Sequence, residues 1–292
     1  MKAAELFVRC LENEGVEAIF GIPGEENVDI MDVLLESSIR FITTRHEQGA
    51  AFMADVYGRL TGRAGVCLAT LGPGATNLVT GVADANMDHA PVVAISGQSA
   101  TTRMHKESHQ HLDLVNLFRP ISKYRTQVIE PETIPEVVRK AFKEAQAEKP
   151  GVSFIDLPEN VAKMDVQGKS PLPVQKPMQP VAPAEKIAEA AAVISAARYP
   201  LIMAGNGVIR ARGRPVGPLR RKTEHPRGQH LHGQRRDAVF ASALVGGRGP
   251  ANPRLRGLRL RPRRGGHLRR LRHGRVPSAP LARRQGQADR TH

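Results

Sequence analysis

Short apolar runs alternate along the chain with stretches in which apolar residues recur every three or four positions, the signature of strands interleaved with amphipathic helices. Residues 2–14 set Leu6, Phe7, Cys10 and Leu11 at the spacing of a buried helical stripe, and Glu17–Phe20 then reads as a strand entering the turn GIPGEE. A helix from about Glu25 to Glu36 follows, with acids in its first turn, where the helix dipole favours them. FITT (Phe41–Thr44) is the next strand. HEQGAAFMADVYGRLTG is the next helix, stopped by Gly62, because glycine readily takes the left-handed conformation that ends helices. GVCLATLGPG reads as strand and glycine turn, ATNLVTGVADANMD as helix, and PVVAISG as strand.

The alternation continues with a polar region that includes a helix within HQHLDLVNLF. A strand over Lys123–Val128, a long helix over Pro131–Glu148 and a strand over Val152–Pro158 follow. Continuous apolar strands joined by helices imply an α/β fold, a doubly wound parallel sheet covered on both faces. Residues 1–164 make one such domain. Residues 165–184 form a proline-rich, semi-rigid linker, and residues 185–212 open a second α/β domain with a helix (Ala184–Ala197) and a strand (Pro200–Ala204). Residues 213–292 hold no helical or strand period, and Pro250, Pro253 and Pro262 would interrupt one, so a disordered tail is expected.

Charge sharpens that division. The chain of 292 residues has a formal charge of +15. Residues 210–292 hold 22 Arg, one Lys and three acids, whereas residues 1–209 have a net charge of −5. The excess basicity therefore belongs to the tail. Twenty-two arginines with one aromatic side chain, Phe240, give nonspecific phosphate attraction and no folded reading element, so no specific nucleic-acid partner is expected. Apolar runs such as APVVAIS are too short to span a bilayer. Glu5 and Arg9 stand where a signal peptide would have its apolar centre, and two cysteines (Cys10, Cys67) make no disulfide framework. A cytoplasmic, reduced setting is the expectation.

The candidate chemistry is sparse. The glycine turns LGPGATN (Leu71–Asn77) and AGNGVIR (Ala204–Arg210) each follow a strand, but both lack the third glycine of the dinucleotide fingerprint. Taken alone, each reads as a tight turn packing a helix on its strand. His105, His109 and His111 with Glu107 and Asp113 do not have the spacing of a zinc site, so no metal site is expected there. Glu47 begins a helix directly after an apolar strand. Its simplest role is a first-turn acid favoured by the dipole; its alternative is a partly desolvated carboxyl at the C-terminal edge of a parallel sheet, placed to share a proton with a heterocycle nitrogen.

Four segments together, GVEAIFGIPGEEN (15–27), RHEQGAAFMADVYGRLTG (45–62), LATLGPGATNLVTGVADANMDHAPVVAISGQ (68–98) and HQHLDLVNLFRPISKY (109–124), resemble the N-terminal half of thiamine-diphosphate-dependent enzymes of the acetolactate synthase and pyruvate oxidase family. The likeness covers about residues 1–209 and is greater to the acetolactate synthase branch. It implies a carboligase or decarboxylase of 2-keto acids, with thiamine diphosphate as cofactor, Mg²⁺ at its diphosphate, FAD in some members, and a homo-oligomer. By this resemblance Glu47 hydrogen-bonds the N1′ nitrogen of the aminopyrimidine, and Gln110 points at the substrate. Pro23 and Gly24 lie near the thiazolium, and Thr70, Pro73, Gly74 and Asn77 border the pyrimidine.

The family's diphosphate domain carries a GDG motif, which this sequence lacks, so the resemblance implies a truncated chain, inactive alone, with half the site from another subunit. The abrupt turn to Arg, Gly, Pro and Ala after about Gly213 suggests a shifted reading frame. Translating the coding DNA in the other two frames beyond residue 212 checks this: an α/β continuation leading to GDG is expected. A flavin- or nicotinamide-binding doubly wound protein is the alternative enzyme, and nonspecific nucleic-acid binding through the tail is the alternative outside enzymes.

Overall fold

A computed structural model describes residues 1–197, except 105 and 176–180, together with Gly207. The expected strand Pro200–Ala204, the AGNGVIR turn as a whole and the Arg-rich tail lie outside the described residues.

Six strands form one sheet: β1 (Ala18–Gly21), β2 (Arg40–Thr43), β3 (Gly65–Ala69), β4 (Val92–Gln98), β5 (Tyr124–Gln127) and β6 (Val152–Pro158). Their order is β2-β1-β3-β4-β6-β5, and every neighbouring pair is parallel. The helices are α1 (Ala3–Asn13), α2 (Val28–Leu34), α3 (Glu47–Thr61), α4 (Pro73–Met87), α5 (Leu114–Leu117), α6 (Ile134–Gln146), α7 (Glu159–Lys163) and α8 (Ala184–Ala196).

Both faces of the sheet are covered, as continuous apolar strands require. Leu6, Phe7 and Leu11 of α1, with Val138 and Phe142 of α6, pack on one face against Val93, Ile95 and Ile155. Ala51 and Ala54 of α3, with Leu78 and Val82 of α4, pack on the other against Cys67, Ala94 and Phe154. Phe118, just after α5, stacks on Phe154 with ring centroids 4.0 Å apart. The central strands β3, β4 and β6 are buried along their whole length, while the edge strands β2 and β5 contain no fully buried position.

Small residues set how closely helices approach strands. A Cβ on Gly65 would lie 2.0 Å from the Ala54 carbonyl oxygen, so β3 touches the α3 backbone. Gly65→Ala would force those backbones apart, at a cost of about 2 kcal/mol for overpacking. At roughly 2–4 °C per kcal/mol for a domain of this size, thermal unfolding followed by circular dichroism should show a midpoint lower by several degrees.

Local rules explain most boundaries. Gly62 ends α3 at φ 71°, its N–H bonded to the Gly58 carbonyl at 2.9 Å. One expectation was too long. The helix expected from Glu25 begins as a 3-10 turn, Glu25–Asn27, and becomes α-helical over Val28–Leu34. The helix within HQHLDLVNLF spans four residues, Leu114–Leu117, with Asp113 capping it by accepting from the Asn116 N–H at 3.0 Å; Pro120 lies in the 3-10 turn that follows. Helix α7 has no expected counterpart, since five residues after a strand show no period. Cys10 and Cys67 are buried free thiols, both pushed up to about 12 chiefly by desolvation, which leaves them unreactive.

Candidate functional site

Sheet order locates the site. The chain leaves β1 toward β2 on one side, while β3 lies on the other, so the loops after β1 and β3 diverge and open a crevice at the carboxyl ends of the strands. The loop after β1 contains Pro23, Gly24 and Glu26, and the loop after β3 contains Thr70–Gly72 before α4 begins at Pro73. Helix α3 starts beside them, following β2.

Glu47 is the first residue of α3. His46 caps the helix, its Nδ1 accepting from the Gln48 N–H at 3.1 Å, and its carbonyl accepts the Thr44 hydroxyl at 3.0 Å. These bonds fix the backbone that carries the Glu47 carboxylate. Asn77 sits one turn into α4, so its side chain points back along that helix toward the start of α3. Its Nδ2 donates to Glu47 Oε2 at 2.9 Å. Glu47 Oε1 accepts no hydrogen bond among the described residues, and it lies 3.6 Å from where a Cβ on Gly74 would stand. The carboxylate is therefore held by one oxygen, while the other lies beside Gly74 without a hydrogen bond among the described residues.

Thr70 ties the second loop in. A Cβ on Gly24 would fall 2.3 Å from Thr70 Cβ, and one on Gly74 would fall 2.8 Å from Thr70 Cγ2. The Thr70 hydroxyl donates to Glu26 Oε2 at 2.6 Å. The structure thus gathers Gly24, Glu47, Thr70, Gly74 and Asn77. Pro23 is exposed and reaches the group through its neighbour Gly24, and Pro73 is an exposed first residue of α4. Gln110 approaches from a different loop. Its backbone rests on Gly72, where a Cβ would lie 2.6 Å from the Gln110 carbonyl oxygen, and its side chain is exposed. Gly72 has φ 54° and Gln110 φ 56°, so two left-handed residues meet at this contact.

The missing third glycine of the fingerprint has a structural reason: its place is taken by Asn77, whose amide goes to Glu47. Among the candidate metal residues, His111 Nδ1 lies 2.9 Å from Ser99 Oγ, and Asp113 is occupied as the cap of α5. His105 lies outside the described residues. No group of three or more metal-ligating side chains occurs among the described residues, and no helix there is long and apolar enough to cross a membrane.

Reading the sequence missed a buried polar cluster beside this site. Asp156, in the middle of an apolar strand, is fully buried. Its Oδ2 accepts from Gln127 Nε2 at 2.7 Å and Gln98 Nε2 at 3.3 Å, and its Oδ1 is 3.4 Å from Ser96 Oγ. A single acid in the otherwise apolar VSFIDLP was the available signal. Desolvation pushes its carboxyl up to about 7 against the lowering effect of these hydrogen bonds. A folded value raised above the unfolded one binds its proton more tightly in the native state. The associated stability is full below about pH 4 and is lost as pH rises to about 7, by several kcal/mol at roughly 1.4 kcal/mol per unit. Glu14, pushed up to about 7 by burial, titrates over the same range. Denaturant unfolding at pH 4.5 and 7.5 therefore needs Asp156→Asn as comparison: the variant should lose less stability over this range than the parent.

The comparisons agree with the geometry. Residues 1–117 match the model described as thiamine pyrophosphate enzyme, N-terminal TPP binding domain. A probable acetolactate synthase large subunit of Methanocaldococcus jannaschii is 43% identical over 222 residues, covering 72% of this chain and 36% of the relative. The catabolic acetolactate synthase of Raoultella terrigena is 42% identical over 203 residues, 69% of this chain and 36% of the relative. Acetolactate synthase isozyme 1 large subunit of Escherichia coli is 39% identical over 226 residues, 76% of this chain and 40% of the relative. The chain thus spans well under half the length of these relatives. Residues 1–117 carry the N-terminal cofactor-binding domain of thiamine-pyrophosphate enzymes, and the aligned part of the chain is similar to acetolactate synthases over about a third of their length.

Proposed function

We propose that this chain supplies the pyrimidine-binding part of an acetolactate synthase-type enzyme that joins 2-keto acids, converting pyruvate to 2-acetolactate. On this reading residues 1–164 are the pyrimidine-binding domain, 165–184 the linker and 185–212 the start of a central domain. The diphosphate-Mg²⁺ half of the site comes from a GDG-bearing domain that this sequence lacks.

One observation carries the proposal: Asn77 holds Glu47 Oε2, leaving Oε1 without a hydrogen bond beside Gly74. On this reading the N1′ of an aminopyrimidine meets Oε1, the oxygen of Glu47 that accepts no hydrogen bond among the described residues. Glu47 then shares a proton with N1′, and Asn77 keeps the carboxyl from rotating away. When bound, thiamine diphosphate supplies the electron sink for decarboxylation and carbon–carbon bond formation. Gln110, exposed on its turn above Gly72, offers an amide to a keto or carboxylate oxygen of the substrate.

Calorimetric titration of the full chain, supplied with a diphosphate-binding domain, tests the ring site, using thiamine diphosphate with Mg²⁺ and an analogue whose N1′ is replaced by C–H. A charge-assisted hydrogen bond contributes about 1.5–3 kcal/mol, so the analogue should bind roughly 10–100-fold more weakly. Equal affinity for both would remove Glu47 from the proposed contact.

A further inference from the structure

Gln110 sits in a left-handed conformation on an exposed turn, at φ 56°, so something must hold it there. The hydrogen bonds lead downward to Gln98, at the carboxyl end of β4 and 1% exposed. Gln98 Nε2 donates to the Leu112 carbonyl at 3.0 Å and to Asp156 Oδ2 at 3.3 Å. Its Oε1 accepts the Ser99 N–H at 3.0 Å and lies 3.2 Å from His111 Nδ1. Chemistry fixes this orientation, because the reversed amide would set its oxygen against a carbonyl and a carboxyl. One buried side chain thus grips both residues that follow Gln110.

We propose that Gln98 is the positioning residue of the Gln110 turn, with Asp156 kept as a neutral acid beneath it to complete the latch. The geometry around Asp156 suits the protonated form. Ser96 Oγ donates to the Gly97 carbonyl at 2.6 Å, so its single proton is committed and the oxygen is open to accept from Asp156 Oδ1. Oδ2, as the carbonyl oxygen, receives both glutamine amides.

The charged or titratable side chains on the elements around Asp156 include His111 and Asp113 of the covering segment, Arg125 on β5 and Asp84 on α4, while α6 and α7, the other helices packed on β6, carry the rest. None of them forms an ion pair with Asp156 among the described residues, and the Asp113 charge further disfavours ionisation. An ionised Asp156 would be a buried charge without a counter-ion. Admitting water by lifting the 109–113 segment relieves it, so protonation of Asp156 and closure of the turn are linked.

The relevance to substrate rests on the reading of Gln110 given above, but the test does not, so a failed latch and a failed cofactor site are told apart. Hydrogen–deuterium exchange of the full chain, without cofactor, is followed in the 106–113 segment with β3 as internal reference and corrected for intrinsic rates. The parent should lose tenfold or more protection in that segment between pH 5 and pH 8. Asp156→Asn, which reproduces the neutral acid's donor and acceptor pattern, should keep its protection at both pH values. Gln98→Met should expose the segment at both while β3 stays protected; if that variant unfolds, the parent and Asp156→Asn decide alone. Parent protection independent of pH, or equal pH sensitivity in Asp156→Asn, overturns the proposal.

Discussion

Glu47→Gln is expected to lower 2-acetolactate formation from pyruvate by about 10²–10⁴-fold, the range of a single general acid–base group. The assay supplies the chain with thiamine diphosphate, Mg²⁺ and a diphosphate-binding domain. The thermal midpoint should stay within a degree or two of the parent's. The two outcomes separate because glutamine keeps the shape at the head of α3 and can still meet Asn77, whose Nδ2 now donates to an amide oxygen. The other end of that amide faces Gly74 with an N–H₂ group in place of a proton-sharing oxygen. Its donors cannot hold the proton that N1′ must share, so shape survives and chemistry does not. A variant that loses activity and stability together would mark Glu47 as a structural helix-head acid.

Gly72→Ala should be the more damaging substitution for the fold around the site. Gly72 stands at φ 54° and ψ −120°, a region that a side chain makes costly. The added methyl would also lie 2.6 Å from the Gln110 carbonyl oxygen and 2.8 Å from its Cβ. Backbone strain of about 1–3 kcal/mol is joined by the clash, so the turn moves rather than absorbing both. The expected results are a midpoint lower by several degrees and faster hydrogen exchange in the 106–113 segment. The β6 amides, on the far side of β4, should stay protected. An unchanged midpoint together with unchanged exchange would show that the Gly72–Gln110 contact is not close in solution.

Much of this arrangement can be read from the chain because its determinants are local. Continuous apolar strands, the Gly62 stop and the strand–turn–helix order place Glu47 and the Gly72–Gly74 turn at the carboxyl edge of a parallel sheet. The role of Glu47 is not local. From its neighbours it is a first-turn acid like many others, and it becomes distinct only because Asn77, thirty positions on, is brought to it by the packing of α3 on α4. The pairing of Gln98 with Asp156 is not local either. Strand β6 inserts between β4 and β5, out of chain order, and only that order sets Gln98, Gln127 and Asp156 side by side. The 99–113 region, with little periodicity, reveals neither its 3-10 turn at Thr101–Arg103 nor its seat on Gly72.

The ¹⁵N chemical shift of N1′ in labelled thiamine diphosphate, bound with Mg²⁺ to the full chain and the added diphosphate-binding domain, reports most directly on whether the free oxygen of Glu47 meets the ring. The shift should move toward that of a protonated ring nitrogen in the parent and remain at the unprotonated value in Glu47→Gln. A parent signal at the unprotonated value, or an equal displacement in both proteins, would contradict the assignment of this corner of the fold to the cofactor ring.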